Sequence, residues 1–239
     1  SKNFNIPLQD GIKDYILCKE CELRFSKKEK WFSENVFLPY LKNEKTIEYN
    51  SNLHYFIISL LWRVLVHFKN DGNDYFYKEL LDKAEIEWRN YLLDGKDIHS
   101  FPAFYLLMIP EEIENVYSIK NFYKYLFRSV DIEIAQSESK CFIYGLIPRF
   151  IFIGNIVGLD EKNFEGLKIN SLNGVISNKF YVKDSDIMNF IISRISEMKN
   201  YEDLSAKQKE IINERTTQNI DRFKNSDYWR IIKKDNYSA

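Results

Sequence analysis

The stretch SNLHYFIISLLWRVLVHF, residues 51–68, sets the centre of the predicted fold. Its apolar residues recur every three or four positions, at Leu53, Phe56, Ile57, Leu60, Leu61, Val64, Leu65 and Phe68. This spacing places them on one face of an α-helix, and the pattern therefore predicts a helix that is buried along that face. Ser51 and Asn52 are suitable capping residues at its start. We expect this helix to be the central helix of the core.

The sequence after this helix predicts a second one that packs against it. Asn70-Asp71-Gly72-Asn73 interrupts the first pattern, and a second helix is predicted from about Asp74 to Leu93. Its apolar face comprises Phe76, Leu80, Ala84, Trp88 and Tyr91. Gly95 suits the end of this helix, because glycine readily adopts the left-handed backbone conformation of a C-terminal cap. The two helices predict an antiparallel helical hairpin.

The middle of the chain predicts an antiparallel sheet. Residues 130–134 alternate between apolar and polar types, 136–140 form a polar turn, and 141–147 and 149–157 are rich in Ile, Phe and Tyr. This pattern is typical of a meander, which we extend to about residues 130–182 by placing strands at 166–169 and 179–182. The run from Phe101 to Ile109 fits a strand or a buried helix, and residues 118–128 fit a helix. The predicted fold class is α+β, mostly helical with this sheet in the middle.

Two further helices are predicted near the end of the chain, from Asp184 to Lys199 and from Ser205 to about Phe223. The second carries only a thin apolar stripe, which favours weak packing or contact with a partner. Since no Gly-, Pro- or Ser-rich linker is evident, we expect one domain over residues 1–239, the C-terminal body of a longer protein. Its segments are a knuckle and helix (1–40), helices (50–128), antiparallel strands (129–182) and C-terminal helices (184–225).

Composition excludes some functional classes. The formal net charge of −1 argues against nucleic-acid binding by overall charge, although local basic patches remain possible. No apolar run reaches the roughly 20 residues that a membrane helix needs, so no membrane partner is expected. Three cysteines form a poor disulfide framework, and the N-terminus lacks a signal-peptide pattern. We therefore expect a reducing compartment, the cytoplasm.

The pattern with most chemical content is Cys18-Lys19-Glu20-Cys21, which follows the strand-like residues Tyr15-Ile16-Leu17 and opens a helix that we expect to stop near Pro39. Two thiols at this spacing can face one tetrahedral zinc ion, and a helix N-terminus stabilises thiolates. Structural zinc takes four ligands, so Cys18 and Cys21 form half of a zinc site. Two alternatives are a metal-free pair of thiols and a thioredoxin-like redox pair. The redox alternative has less support, because no βαβ unit surrounds the motif.

An apolar strand followed by Leu-Cys-x-x-Cys at the start of a helix resembles the second zinc knuckle of the treble-clef module in HNH-type (ββα-metal) endonucleases. The resemblance spans about residues 9–37. This segment is also similar to the interior of bacterial HNH-like proteins, some found among phage-defence genes. In that family the first Cys-x-x-Cys and the catalytic histidine precede the matching segment, and residues 1–14 contain neither Cys nor His. The resemblance therefore implies zinc ligation by Cys18 and Cys21 and carries over no catalytic residue.

The other candidate residues have ordinary structural explanations. Cys141 lies in an apolar strand and is expected to be an inert buried thiol. His54 and His67 are 13 residues apart on one helix and cannot share a site there. His99 lies in a predicted loop, where it is either solvated or part of a small-molecule site. The pair Glu111-Glu112 is expected to begin a helix, where its charge suits the helix dipole.

A basic cluster follows the cysteines and is the candidate contact for nucleic-acid phosphates: Lys19, Arg24, Lys27 and Lys28. The acidic residues interleaved with it favour a solvated helix face as the alternative. We expect the body of an HNH-like zinc-binding protein, catalytically incomplete, that binds nucleic acid or another partner. An interaction or scaffold module without a nuclease role, including a homo-oligomer, is the alternative, and a small-molecule enzyme that uses His99 is the third.

Overall fold

The computed structural model describes residues 17–69, 74–116, 118–180, 182–198 and 205–237. The chain has the predicted α+β architecture, in which helices cover both faces of an antiparallel sheet. The turn at residues 9–11 and the strand-like residues Tyr15 and Ile16 lie outside the described ranges.

The first helical segment extends beyond the end that the sequence predicts. It comprises α1 (Lys19–Phe32), a wider turn (Ser33–Phe37) and α2 (Leu38–Leu41). Pro39 predicts an end to the helix, because proline has no N–H and clashes with the carbonyl four residues earlier. In the structure the wider turn precedes Pro39, with the Leu38 N–H donating to the Ser33 carbonyl, and the chain stays helical to Leu41.

The central helix is confirmed as α3 (Ser51–Lys69), with Leu53, Ile57, Leu61 and Leu65 fully buried. It contacts α4 (Lys78–Asp94), which ends at Gly95 with a φ of +68°. The predicted start of α4 at Asp74 is wrong by about one turn. Phe76 precedes the helix and is 82% exposed instead of contributing to its apolar face.

Four strands form the main sheet in the order β2-β5-β4-β3, and every neighbouring pair is antiparallel. Their bounds are β2 (Phe104–Met108), β3 (Asp131–Gln136), β4 (Cys141–Ile147) and β5 (Phe150–Val157). The β3-β4-β5 meander is therefore confirmed. The ambiguous run 101–109 contains β2, whose five residues are all buried. Because helices cover both faces, this strand lacks the apolar–polar alternation of a half-exposed strand.

The predicted extension of the meander is only partly correct. Residues 167–169 lie along the outer edge of β2, where the Leu106 N–H donates to the Leu167 carbonyl and the Ile169 N–H donates to the Phe104 carbonyl. Among the described residues of the 179–182 segment there is no strand. Instead, β6 (Asn173–Ser177) pairs with β1 (Thr46–Asn50) in a separate two-stranded sheet.

Two glycines allow helices α3 and α4 to approach one face of the main sheet. A Cβ atom at Gly145 would lie 2.8 Å from the Leu60 side chain. A Cβ atom at Gly154 would lie 2.9 Å from the Trp88 ring and 3.1 Å from Leu61. These distances are shorter than ordinary van der Waals contact, so larger residues here would push the helices away from the sheet.

The opposite face of the sheet packs against α5 (Phe122–Arg128), α6 (Ser185–Ser196) and α9 (Asp227–Tyr237). α6 buries Ile187, Ile191 and Ile195, and the Asp184 side chain caps its N-terminus. The helix predicted over 118–128 begins only at Phe122. Ser118 and Asn121 both have positive φ angles, 49° and 63°, which are incompatible with a right-handed helix.

The C-terminal region contains more helices than the sequence predicts. The single helix expected over 205–223 is divided into α7 (Ala206–Gln218) and α8 (Ile220–Lys224), with a break at Asn219. Ser205 and Gln208 form a capping box at the start of α7. The third helix, α9, is not predicted by the sequence. Its Ile231 is buried, its Trp229 ring contacts Phe223 of α8, and Arg230 and Asp235 make polar contacts with distant residues.

Two backbone N–H groups of the edge strand β3 donate to side chains of the same strand. The Asp131 carboxylate accepts from the Ile132 N–H at 3.0 Å, and the Glu133 carboxylate accepts from the Ile134 N–H at 3.1 Å. Arg194 of α6 donates to both carboxylates and holds them beside the strand. At the opposite end of the sheet, residues 167–169 cover the edge of β2.

Candidate metal and thiol site

The start of α1 brings the two predicted zinc ligands together. Cys18 is the N-cap residue, with an extended backbone, and its Sγ accepts a hydrogen bond from the Cys21 N–H at 3.4 Å. The two Sγ atoms are 3.2 Å apart. Cys18 is exposed and Cys21 is partly exposed. The pair is therefore accessible at the end of a helix that is itself fixed to the core.

Local hydrogen bonds distinguish the two thiols. The pKa of Cys18 is lowered, mainly because the backbone N–H of Cys21 and then its thiol stabilise the Cys18 thiolate by hydrogen bonding. The pKa of Cys21 is raised by its hydrogen bond with Cys18 and by partial burial, while the Arg24 guanidinium opposes this shift. Cys18 is therefore the thiol of the pair that ionises first, and the thiolate is the form that binds metals and reacts with oxidants.

The geometry of the pair is compatible with zinc after a small adjustment. A tetrahedral ion with Zn–S bonds of about 2.3 Å holds two sulfurs about 3.8 Å apart. The observed separation of 3.2 Å is shorter by about 0.6 Å, a change that side-chain rotation supplies. Two sulfurs on one side of a helix N-terminus therefore fit half of a tetrahedral site.

The described residues do not supply the other half. No group of three or more His, Cys, Asp or Glu side chains that could hold a metal ion occurs among them. Cys141 is buried in β4, as predicted, and burial raises its pKa to about 12. His54 is buried against Tyr91, with Nδ1 3.0 Å from the phenol oxygen, and burial lowers its pKa to about 4.

Two of the four basic residues proposed for phosphate contact bind within the chain instead. Arg24 donates to the carbonyls of Leu92 and Leu93 at the C-terminus of α4, at 3.1 and 2.9 Å. Lys28 donates to Asn52 and lies 5.2 Å from the centre of the Tyr55 ring. Lys19 and Lys27 are exposed. The sequence could not indicate these roles, because the partners of Arg24 are 68 and 69 positions away.

His99 lies in a loop, as expected. The Glu87 carboxylate accepts hydrogen bonds from the backbone N–H groups of His99, Ser100 and Phe101 and so fixes the course of this loop. The imidazole itself is exposed. Glu87 therefore fixes the conformation of this loop through backbone hydrogen bonds. These bonds do not involve the His99 side chain.

A buried arginine, which no motif in the sequence marks as a structural residue, organises the turn between β4 and β5. Arg149 follows Pro148 and has a φ of +77°, as in the third position of a type II turn. Its guanidinium pairs with Glu111 at 3.1 Å and with Asp227 at 3.3 Å, over the Phe127 ring. The predicted helix start at Glu111-Glu112 is wrong, because these residues form a turn in which Glu111 binds Arg149 and Glu112 binds Lys45.

Several cavities border α6. One, of about 370 Å³, is mainly apolar and includes Ile113, Phe122 and Met188 in its lining. Another, of about 560 Å³, is lined partly by Lys140 and Arg194. Both cations are paired, Lys140 with Asp184 and Asp186 at 2.8 Å, and Arg194 with Asp131 and Glu133. These charges stabilise the packing of α6 on the sheet.

Comparison of the chain with protein-family models, with curated proteins and with solved structures found no match. Within the described ranges, no helix has the length and apolar character required to cross a bilayer.

Proposed function

We propose that this chain is the body of an HNH-like zinc-binding protein that is catalytically incomplete and anchors a partner through a shared zinc ion. The observation that supports this proposal is the Cys18–Cys21 pair, with Sγ atoms 3.2 Å apart at the N-terminus of α1. Since two thiolates leave half of the coordination sphere open, the remaining ligands come from outside the described residues.

The packing of α1 makes the pair a suitable anchor. The Phe25 ring contacts Tyr55 and Trp62 of α3 edge-on, at centroid distances of 6.1 and 6.2 Å. The Phe32 ring stacks on Phe56 at 4.2 Å. Any segment that completes the zinc site is thereby held in a fixed orientation to the core. In an HNH-like protein this segment carries the first knuckle and the catalytic histidine, and the whole protein acts on nucleic acid in the cytoplasm.

Metal binding tests the proposal directly. Cobalt(II) added to the reduced chain is expected to give thiolate-to-metal charge-transfer absorption, and zinc is expected to abolish it by displacement. We expect the absorption to disappear in Cys18→Ser and in Cys21→Ser. It is expected to persist in the matched control Cys141→Ala, which removes the buried thiol. Absence of thiolate absorption in the wild-type chain would contradict the proposal, as would its persistence in the double Cys18→Ser, Cys21→Ser variant.

Stoichiometry then tests the ligand count. We expect the chain alone to retain less than one zinc per monomer after dialysis, because water completes the site. When the polypeptide encoded upstream is included, about one tightly bound zinc per chain is expected. Full zinc occupancy in the chain alone would show a closed site within these 239 residues.

The proposal also predicts that the chain alone does not cleave nucleic acid. Plasmid and single-stranded DNA incubated with the chain and magnesium, manganese or zinc are expected to stay intact, because no metal-binding cluster accompanies a general base among the described residues. Cleavage that survives repurification and is lost in His99→Ala would instead support a small-molecule or nuclease site at the His99 loop.

The second candidate is an interaction module with no nuclease role. It is favoured by the internal pairing of Arg24, Lys28, Arg149 and Arg194, which places these cations in structural contacts. Partner binding that is unaffected by zinc chelation and by Cys18→Ser would favour this candidate over a zinc-mediated anchor.

A further inference from the structure

The separation of the two sulfurs lies between two chemical geometries. A disulfide requires an S–S bond of about 2.05 Å, whereas two zinc-bound sulfurs stand about 3.8 Å apart. At 3.2 Å the Cys18 and Cys21 sulfurs are closer to each other than zinc requires. Closing the remaining distance to a disulfide needs about 1.1 Å of movement, and no intervening side chain separates the two atoms.

Access to the pair is asymmetric. Cys18 is exposed at the N-cap, outside the first turn of the helix, whereas Cys21 is partly exposed within that turn. Cys141 is fully buried in β4 and cannot react with either of them without unfolding. The Cys18 sulfur is therefore more accessible to an oxidant in solution, and the Cys21 sulfur lies 3.2 Å from it.

We propose that Cys18 and Cys21 form a reversible dithiol–disulfide pair that is oxidised by hydroperoxides. This inference goes beyond the proposed zinc-anchoring function and does not require zinc, because it rests on the position and access of the two sulfurs alone.

The reaction balances in two steps. The Cys18 thiolate attacks one peroxide oxygen, so that an S–O bond forms, the O–O bond breaks, and the other oxygen leaves with a proton as water or an alcohol. The Cys21 thiolate then attacks the Cys18 sulfur, so that the S–S bond forms and the S–O oxygen leaves as water. Two electrons pass from the sulfurs to the peroxide. An external dithiol reverses the change by thiol–disulfide exchange.

Disulfide formation and zinc binding exclude each other, because both require the same two thiolates. If the proposed zinc site is also present, oxidation is expected to release the metal and free the anchored segment. Zinc in turn is expected to protect the pair from oxidation.

The test uses the reduced, metal-free chain treated with hydrogen peroxide, followed by alkylation and mass analysis. The expected product is a monomer with two fewer thiols available for alkylation and a mass lower by two hydrogen atoms. The disulfide is expected to map to Cys18–Cys21 and to be reduced by dithiothreitol. Cys141→Ala is expected to react in the same way. Cys21→Ser is expected to stop at a Cys18 sulfenic acid that dimedone traps, and Cys18→Ser is expected to react at least about tenfold more slowly.

Three results would overturn the inference. They are over-oxidation of Cys18 in the wild-type chain without a bond to Cys21, disulfides only between chains, and thiols that react no faster than Cys141. A reduced chain that binds cobalt but fails this test would leave the zinc proposal in place. A chain that forms the disulfide but binds no metal would support the redox pair alone.

Discussion

His54 shows how burial changes the behaviour of a single residue. It is in the first turn of α3, yet it packs edge-on against the rings of Tyr91 and Phe104 and is only 5% exposed. Its ring nitrogen accepts or donates a hydrogen bond with the Tyr91 hydroxyl at 3.0 Å. Because no carboxylate compensates a charge here, burial lowers the pKa of His54 to about 4.

This pKa predicts how stability depends on pH. The unfolded chain binds a proton at His54 near pH 6.5, whereas the folded chain does so only near pH 4, so stability falls as the pH drops through this window. Between pH 7.5 and 5.5, protonation of His54 in the unfolded chain is expected to lower the free energy of unfolding by about 1 kcal/mol. Denaturant unfolding of wild type and of the non-titrating His54→Gln measures it. Equal pH dependence in the two proteins would contradict the prediction.

At the residue scale, spacing along the chain predicted local contacts and missed distant ones. The i, i+3 separation of Cys18 and Cys21 was sufficient to bring their sulfurs together at a helix start. The roles of Arg24, Lys28 and Arg149 depend on partners in other elements, at Leu93, Asn52 and Asp227. No periodicity in the sequence encodes such pairings, because they arise only when the elements pack.

At the scale of elements, α3 connects most of the structure. It contacts α1, α4, β1 and all four strands of the main sheet. Its buried residues face the sheet at the two glycines, where Leu61 lies beside the position of a Cβ on Gly154. The stability of the core should therefore depend strongly on this helix.

Truncation of Leu61 tests the central position of α3. Leu61→Ala is expected to destabilise the protein by about 2–5 kcal/mol, because it removes buried methyl groups and leaves a cavity. Leu61→Asp is expected to cost more, since it buries an unpaired charge. The matched control is Leu23→Ala on α1, where the side chain is 58% exposed and the change should stay within about 0.5 kcal/mol. Similar melting temperatures for Leu61→Ala and Leu23→Ala would show that the face is not buried.

Gly154→Ala provides a second test of the same interface. The added Cβ would lie 2.9 Å from the Trp88 ring, so the ring or the helix must move. The expected cost is about 1–3 kcal/mol in denaturant unfolding. Gly95→Ala is not a matched control, because its φ of +68° adds backbone strain. Wild-type stability in Gly154→Ala would show that α4 packs less closely on the sheet.

Elements with a continuous apolar pattern were predictable, and elements defined by distant pairing were not. α3 has the 3.6-residue period of a helix, the β3 region alternates with a period of two, and β4 and β5 are continuous runs rich in Ile, Phe and Tyr. β1 has five residues and pairs with β6, whose partner positions are more than 120 residues away. α9 is not predicted because its polar contacts are with distant residues and Ile231 is a buried apolar position without a long periodic pattern around it. α2 is not predicted because the wider turn before Pro39 has no sequence signature.

At the scale of the whole molecule, charged contacts attach the last helix to the rest of the protein. Asp227 of α9 pairs with Arg149, and Asp235 accepts from the backbone N–H groups of Tyr123 and Lys124 at the start of α5. Arg230 pairs with Glu111 at 3.1 Å. One apolar side chain, Ile231, is buried between them. Polar contacts of this kind weaken in salt more than apolar packing does.

These contacts predict that α9 can detach from the core, while the core stays folded, when its one buried apolar contact is weakened. In Ile231→Asp, hydrogen exchange over residues 227–237 is expected to accelerate, while α3 keeps its protection. High salt should increase the effect, because it screens the remaining ion pairs. Ile211→Asp on α7, where the side chain is already 39% exposed, is the control. Loss of protection in α3 to the same extent as in α9 would show that the helix is an integral part of the core.

The covered edges of the main sheet affect how copies of this protein can associate. An open strand edge nucleates fibrils, because each arriving chain finds free amides to pair with and offers new ones to the next. Here Asp131 and Glu133 accept from two of those amides at one end, and residues 167–169 pair with the strand at the other. Growth of the four-stranded sheet is hindered at both ends, which disfavours edge-to-edge pairing between the main sheets of two folded copies.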